Sequence, residues 1–397
     1  MRLTASRASI TSSGGVVLDA IQQEDPTLDL NFGETKTLTD DVSNNNLITY
    51  TRASSGTYVG SDGLIKTSPV NLLAYSEQVG QWNQLYNATV TSNAALAPDG
   101  SMTADRVRLP ANSGTAALNS YVSTSGNHTG TIYVKAVTSG TDNTFNLYLG
   151  SPSELFTATD EWQRFTFTAN TSDFRFGIVN GDDSFVTDVL LWGAQVEEGT
   201  TATDYIPTGA TKSGAPRFDH DPVTGESLGL LIEEERANLL TYSEEFDQSI
   251  WTKSNGAQIT PNAVESPSGG NTADLLTFTD STQQLYFGFT PSAGTYTLSV
   301  YLRVASGSKQ LRMQTYSPTD GAQNKNITVT DTWQRFSHTV VLSNTQTTFL
   351  PCSPVDLGEV YIWGAQLEAG SFPTSYIPTS GGTATRTPDI ASIEGNK

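Results

Sequence analysis

Apolar and polar residues alternate in short runs along much of this chain, the period-two signature of strands with one buried face. Ile132, Val134 and Ala136 share a face of Thr131–Val137, and Phe165 and Phe167 share a face of Gln163–Ala169. Leu28, Leu30 and Phe32 alternate against Asp29, Asn31 and Gly33. Asp188–Glu197 is more continuously apolar, which predicts a central strand. The tripeptides Ser61-Asp62-Gly63 and Thr224-Gly225-Glu226 carry turn chemistry and predict hairpins within Ile48–Thr67 and Arg217–Ala237. Long runs of strong helix formers at helical spacing are missing. The pattern predicts an all-β protein.

The pattern also repeats. WGAQVEEGTTATDYIPT, Trp192–Thr208, returns as WGAQLEAGSFPTSYIPT, Trp363–Thr379, displaced by 171 residues (363 − 192). WQRF at Trp162 returns at Trp333 with the same displacement (333 − 162 = 171), and NLLAYSE at Asn71 returns as NLLTYSE at Asn238 (238 − 71 = 167). Strand-like SVYLRV, QRFSHTV and EVYIWGAQLE in the second copy match those of the first. These blocks define two modules of about 140 residues, 71–210 and 238–382. An N-terminal region, 1–70, precedes them, a linker hairpin, 211–237, joins them, and a tail, 383–397, follows. Eight or so strands without helices in a module of that length predict a jelly-roll sandwich. An immunoglobulin sandwich is the second choice, being nearer about 100 residues and, in antibodies, marked by a Cys…Trp…Cys pattern that is missing here. The expected architecture is two tandem jelly-roll β-sandwich modules with β-hairpin linkers and a small N-terminal attachment region. The repeated Trp-Gly-Ala-Gln…Tyr-Ile-Pro-Thr stretch is expected to be each sandwich's closing strand and exit path. Trp192 and Trp363 would pack the core, Gly193 and Gly364 would permit a bend, and the last four residues would fasten the chain.

Composition narrows the function classes. Charged residues make up 16% of the chain, against about 25% in ordinary domains, and Thr, Ser, Asn and Gly take their place. The net charge of −20 argues against nucleic acid, which needs a basic stripe, and against an anionic membrane surface. The single Cys352 excludes an internal disulfide. No apolar stretch approaches the ~20 residues of a membrane span, and the N-terminus lacks a signal-peptide core. Assembly inside a cell is therefore expected, the alternative being that this sequence lacks its leader.

Candidate chemistry comes from tryptophans and carboxylates. Of three repeat-matched tryptophan pairs, Trp82 and Trp251 lie in polar stretches, VGQWNQ and QSIWTK, and are the candidates for glycan stacking, weighed against a role as loop anchors. Glu77 matches Glu244, Asp105 matches Asp274, and Asp188 matches Glu359. Brought together by a jelly roll, such a set would suit a structural calcium, a hard cation that takes oxygen ligands; the other reading is solvated or capping carboxylates. No cofactor is required by any motif. Catalysis has little support, since His128, His220 and His338 sit in unrelated contexts and no nucleophile-elbow, zinc-protease or phosphate-loop motif is present. No catalytic residue is assigned.

Three blocks resemble head-spike and tail-fibre proteins of tailed bacteriophages that carry carbohydrate-binding-like modules. They are ITYTRASSGTYVGSDGLIKT (Ile48–Thr67), RFDHDPVTGESLGLLIEEERANLLTYSEEFDQSIW (Arg217–Trp251) and WGAQLEAGSFPTSYIPTSGGTATR (Trp363–Arg386). In such relatives the first block usually runs straight into the second, whereas here a whole module, Asn71 to about Thr211, intervenes; this suggests an inserted duplicate. The resemblance implies a non-enzymatic virion protein assembled in the host cytoplasm and a homo-oligomer, a trimer being favoured. It implies attachment to other virion proteins through the N-terminal region and contact with host-surface glycans, without nucleic-acid binding or membrane insertion. A tail-spike depolymerase and a purely structural capsid decoration are the alternatives.

Overall fold

The computed structural model describes residues 2–3, 32, 36–38, 48–112, 116–122, 125–138, 143–172 and 175–393. The attachment arm and the alternating Leu28–Phe32 run lie almost wholly outside them. The chain forms two compact units. One comprises Thr51–Ser55 and Ser68–Ala215; the other joins Gly56–Thr67 to the chain from Pro216 onward and includes residues 48–50. The first module is thus inserted into the second unit, which takes the hairpin Thr57–Thr67 and the linker hairpin as its own.

Each unit holds one sandwich of ten strands. In the first these are β1 (Gln84–Tyr86), β2 (Thr89–Ala95), β3 (Ala104–Leu109), β4 (Ala117–Tyr121), β5 (Gly126–Ala136), β6 (Thr144–Leu149), β7 (Ser153–Thr157), β8 (Gln163–Thr171), β9 (Arg175–Asn180) and β10 (Thr187–Glu198). In the second they are β11 (Thr252–Ser254), β12 (Gln258–Val264), β13 (Ala273–Phe278), β14 (Gln284–Phe289), β15 (Gly294–Arg303), β16 (Ser308–Ser317), β17 (Gly321–Thr330), β18 (Gln334–Leu342), β19 (Thr347–Pro354) and β20 (Gly358–Ala369). The sheets run β2-β3-β10-β5-β8 over β1-β4-β9-β6-β7, and β12-β13-β20-β15-β18 over β11-β14-β19-β16-β17. Consecutive strands from β3 to β10 mostly cross between sheets, and the pairing order is that of a jelly roll. The fold class is as expected, and the ladders in the two copies correspond strand for strand.

The period-two pattern builds the cores. Ile132 and Val134 from β5 meet Leu147 from β6 and Ile178 from β9 across the first sandwich; Leu298 and Val300 meet Leu311, Met313 and Phe349 in the second. Burial lifts the Cys352 thiol to about 12, so it packs here as an apolar side chain.

The repeated stretch closes each sandwich. Gly193 and Gly364 take φ +62°, a conformation open to glycine at little cost, and each sits where the ladder register slips. A Cβ on Gly193 would stand 3.0 Å from the Tyr133 ring. The slip changes which face each residue takes: Trp192 and Trp363 lie on the outer side of their sheets, not between them. Both are buried in apolar clusters as expected, but in clusters outside the main core between the sheets. Both indoles are covered by the returning chain, with Tyr205 4.6 Å from Trp192 and Tyr376 4.6 Å from Trp363.

Asn71 and Asn238 tie this return together. Asn238 Nδ2 donates to Ala365 O (3.2 Å) and Ile377 O (2.9 Å), while its Oδ1 accepts from the Leu240 and Leu367 amides (3.1 Å each). Asn71 makes the same four bonds with Ala194, Ile206, Leu73 and Val196. Gln195 and Gln366 each accept the next amide, from Ile206 and Ile377, at 2.7 Å. The repeat is a side-chain clasp.

The second unit adds a buried charge cluster. Arg217, fully buried, pairs with Asp389 and with Glu233 (2.9 Å), and Glu233 also pairs with Arg386 (2.9 Å). Asp389 further accepts from the Tyr50 hydroxyl and the Glu233 amide. Desolvation would raise the Glu233 carboxyl, but Arg386 and Arg217 hold it below its ordinary value. Arg217 also donates to Thr57 O at 2.8 Å, which fastens the leading hairpin across the insertion point.

Candidate functional site

Each sandwich has two outward faces, and the chain closes one of them itself. On β10 and β20, Glu197 and Glu368 accept from Thr203 and Thr374, whose carbonyls in turn receive Arg164 (2.7 Å) and Arg335 (2.5 Å). Those guanidiniums lie 5.6 Å over Tyr133 and 5.4 Å over Tyr301, so the aromatic faces there are occupied.

The outward face of the opposite sheet carries no such cover from its own exit segment. In the second sandwich, Leu311 and Met313 of β16 point into the core, which turns Gln310, Arg312, Gln314 and Tyr316 outward. Across the ladder, Asn326 stands opposite Arg312 and Asn324 opposite Gln314. Tyr286 of β14 lies on the same face, next to core residues Leu285 and Phe287. Tyr316 is 49% exposed. The first sandwich repeats the arrangement only in part: Tyr148 and Asn146 of β6, Asn119 and Tyr121 of β4 and Tyr86 of β1 fall on the outward side of the sheet, where Tyr86 and Tyr121 are exposed and Tyr148 and Asn119 are buried. Tyrosine rings present a flat apolar surface with a polar tip, and carboxamides donate and accept in one plane. That combination matches a sugar, which has a C–H face and a ring of hydroxyls.

The sequence candidates lie elsewhere. Trp82 and Trp251 are 4% and 1% exposed, and their indole N–H groups donate to Tyr75 O (3.1 Å) and Tyr242 O (2.9 Å). Both belong to the main cores, which corrects the stacking expectation and leaves the loop-anchor reading. Polar flanks misled because the short helical turn Val79–Gln81 rotates Trp82 inward, while beside Trp251 it is Ile250 that is exposed.

The carboxylates divide. Glu77 and Asp105 do line one cavity of about 210 Å³. Asp188 does not join them: Asp105 pairs with Leu191 and Asp188 with Arg108, three ladder positions or roughly 10 Å away. Asp188 is instead held by Arg106, at 2.7 Å. Glu359 is displaced from Asp274 by the same register and is exposed. The remaining carboxylates already have partners. Asp105 accepts from the Asn93 (2.9 Å) and Gly80 (3.4 Å) amides, and Asp274 from Asn262 (2.9 Å) and Phe246 (3.0 Å). Glu77 and Glu244 accept from the Tyr205 and Tyr376 hydroxyls. Among the described residues no three His, Cys, Asp or Glu side chains gather at metal-binding distance, whereas calcium takes roughly six to eight oxygens. The donor set does not fit calcium; these acids clasp loops.

That role has a pH signature. Burial raises the Asp274 carboxyl to about 6, with the nearby charges of Asp247 and Glu245 adding to the shift and its amide donors opposing it. A folded-state value above the unfolded one means stability that is intact below about pH 4 and lost as pH rises through about 6, by about 3 kcal/mol at most. Comparing urea unfolding of the native protein and Asp274→Asn from pH 4 to 8 isolates this group. The native protein should lose ground to the variant across that window; a constant difference would refute the assignment.

A larger cleft of about 1160 Å³ lies within the second unit, walled by Leu64, Val223, Val264 and Phe372. Arg303 lies 5.3 Å over Trp333 and Arg236 5.4 Å over Phe372, and the lining also holds Tyr58 and the charged side chains Asp62, Glu234 and Glu265.

No protein-family profile matches the chain, and no curated protein matches it in sequence. It is similar to solved structures at low identity. The tandem CBM22 modules of Paenibacillus barcinonensis Xyn10C are 11% identical, with 76% of this chain and 98% of that one covered and a TM-score of 0.33. The C-terminal family 22 carbohydrate-binding module of Clostridium thermocellum Xyn10B is 15% identical over 34% of this chain and 98% of that one, with a TM-score of 0.28. The enzymatically active domain of bacteriophage CBA120 tailspike protein 4 is 14% identical over 33% of this chain and 21% of that one, with a TM-score of 0.26.

Proposed function

We propose that the protein is a non-catalytic glycan-binding protein whose second sandwich presents an open, tyrosine- and carboxamide-lined face, repeated in part on the first by Tyr86, Tyr121 and Asn146. One observation carries this reading: the chain covers one outward face of each sandwich with its own exit segment, and the opposite face of the second sandwich leaves open the side chains suited to sugars. Two weak sites on one chain, multiplied in an oligomer, would act through avidity.

The virion setting is the finer part of the proposal. The chain would be a head-spike or fibre component of a tailed phage, oligomeric and favoured as a trimer, that reaches host-surface glycans. The blocks that resemble such proteins support it. They supply the members of the buried cluster: Arg217, Glu233, Arg386 and, just beyond the last block, Asp389. Antibody labelling of intact virions, imaged by electron microscopy, tests the setting; unlabelled virions would remove it and leave the binding proposal standing.

Binding itself is tested on a glycan array with the full chain and with Tyr316→Ala and Tyr286→Ala, each checked for an unchanged melt. Loss of a stacking ring should weaken binding roughly tenfold or more. Retention at full strength by both variants would move the site off this face.

A further inference from the structure

The open face of the second sandwich has an unusual charge balance. The chain holds 41 acidic residues, yet the five strands β11, β14, β16, β17 and β19 contain neither Asp nor Glu. Their cations are Lys253, Lys309, Lys325 and Arg312. Each lysine is committed to backbone carbonyls: Lys253 to those of Phe246, Asp247 and Gln248, Lys309 to that of Leu357, and Lys325 to that of Ser337 (2.6 Å). The Arg312 guanidinium takes part in no ion pair or side-chain hydrogen bond among the described residues. It is partly buried, points to the open face and stands opposite Asn326, one outward position from Gln314.

A partly buried guanidinium without an anion retains its full capacity for a forked, charge-assisted pair. The strands of this sheet carry no acid, and Asp356, which abuts it beside Gln310, is held by the Gln310 amide at 2.7 Å and forms no ion pair with Arg312 among the described residues. We infer that the second sandwich takes an anionic glycan, with Arg312 gripping the acid group while Tyr316, Gln314 and the two asparagines hold the sugar rings and hydroxyls. This rests on the glycan-binding reading and narrows it to acidic sugars. The first sandwich differs, since its corresponding sheet contains Glu154 and its Arg175 already has a partner.

The test uses the full chain on an array of matched pairs: sialylated and desialylated, uronate-bearing and carboxyl-reduced, phosphorylated and dephosphorylated. The acidic member of at least one pair should bind more tightly, with an affinity that falls as NaCl rises. Arg312→Gln should weaken that member roughly tenfold to a hundredfold, with little change for the neutral member, and Arg312→Lys should fall between. The pair that shows the effect identifies the acid. Equal binding within every pair, or an unaltered preference in Arg312→Gln with an unchanged melt, overturns this inference and leaves glycan binding intact. Absence of binding to every glycan would overturn both.

Discussion

Replacing Asn238 by alanine is expected to cost the second sandwich on the order of 4 kcal/mol. The side chain is fully buried and satisfies two carbonyls and two amides from three separate segments, Leu240, Ala365–Leu367 and Ile377. Alanine leaves all four without partners and with no path to water. Each orphaned buried group costs roughly 1–3 kcal/mol, and relaxation of the exit segment recovers part of it. Asn238→Asp is a sharper version, because it keeps both acceptor roles, loses both donor roles and buries a charge. Unfolding followed by hydrogen exchange should show the loss confined to the second unit, with Asn71→Ala producing the mirror image in the first. A change below 1 kcal/mol for both would mean that the clasp is decorative.

Asp389→Ala should destabilise the second unit by about 4 kcal/mol, since removing one partner of a buried pair strands the other charge. Arg217 would keep Glu233, but Glu233 is already shared with Arg386. The Tyr50 hydroxyl and the Glu233 amide would lose their acceptor as well. For a unit of this size the melting temperature should fall by roughly 10 °C. The double replacement Arg217→Met, Asp389→Leu should be milder than Asp389→Ala alone, because an apolar pair has no stranded charge. If the double variant is the worse of the two, the cluster contributes net attraction beyond its desolvation cost.

Much of this was legible in one dimension. The alternation Ile132, Val134, Ala136 marked β5, and the displaced repeats fall on corresponding strands of the two copies, WQRF at β8 and β18 and WGAQ at β10 and β20. Gly193 and Gly364 were expected to bend the chain, and they do at φ +62°. What alternation cannot state is the phase beyond a bulge, which is why burial of Trp192 and Trp363 could be expected but not that the slip buries them on the outer side of their sheets. Polar neighbours likewise say little about a tryptophan after a tight turn, as Trp82 shows. The carboxylates failed for a register reason: three ladder positions separate Asp105 from Asp188, and no spacing in the sequence reveals that. The open face was hidden because Gln310, Arg312, Gln314 and Tyr316 read as the ordinary solvent side of a strand. Only the fold shows that the other sheet's outer face is taken.

The most direct test of the account is hydrogen–deuterium exchange of the full chain with and without an array-selected oligosaccharide. Binding at the open faces predicts protection along Ser308–Ser317 and Gly321–Thr330, or along Thr144–Leu149 and Arg175–Asn180, with the exit segments 199–208 and 370–379 unchanged. Protection confined to the Leu64–Phe372 cleft, or no protection at saturating sugar, would contradict it.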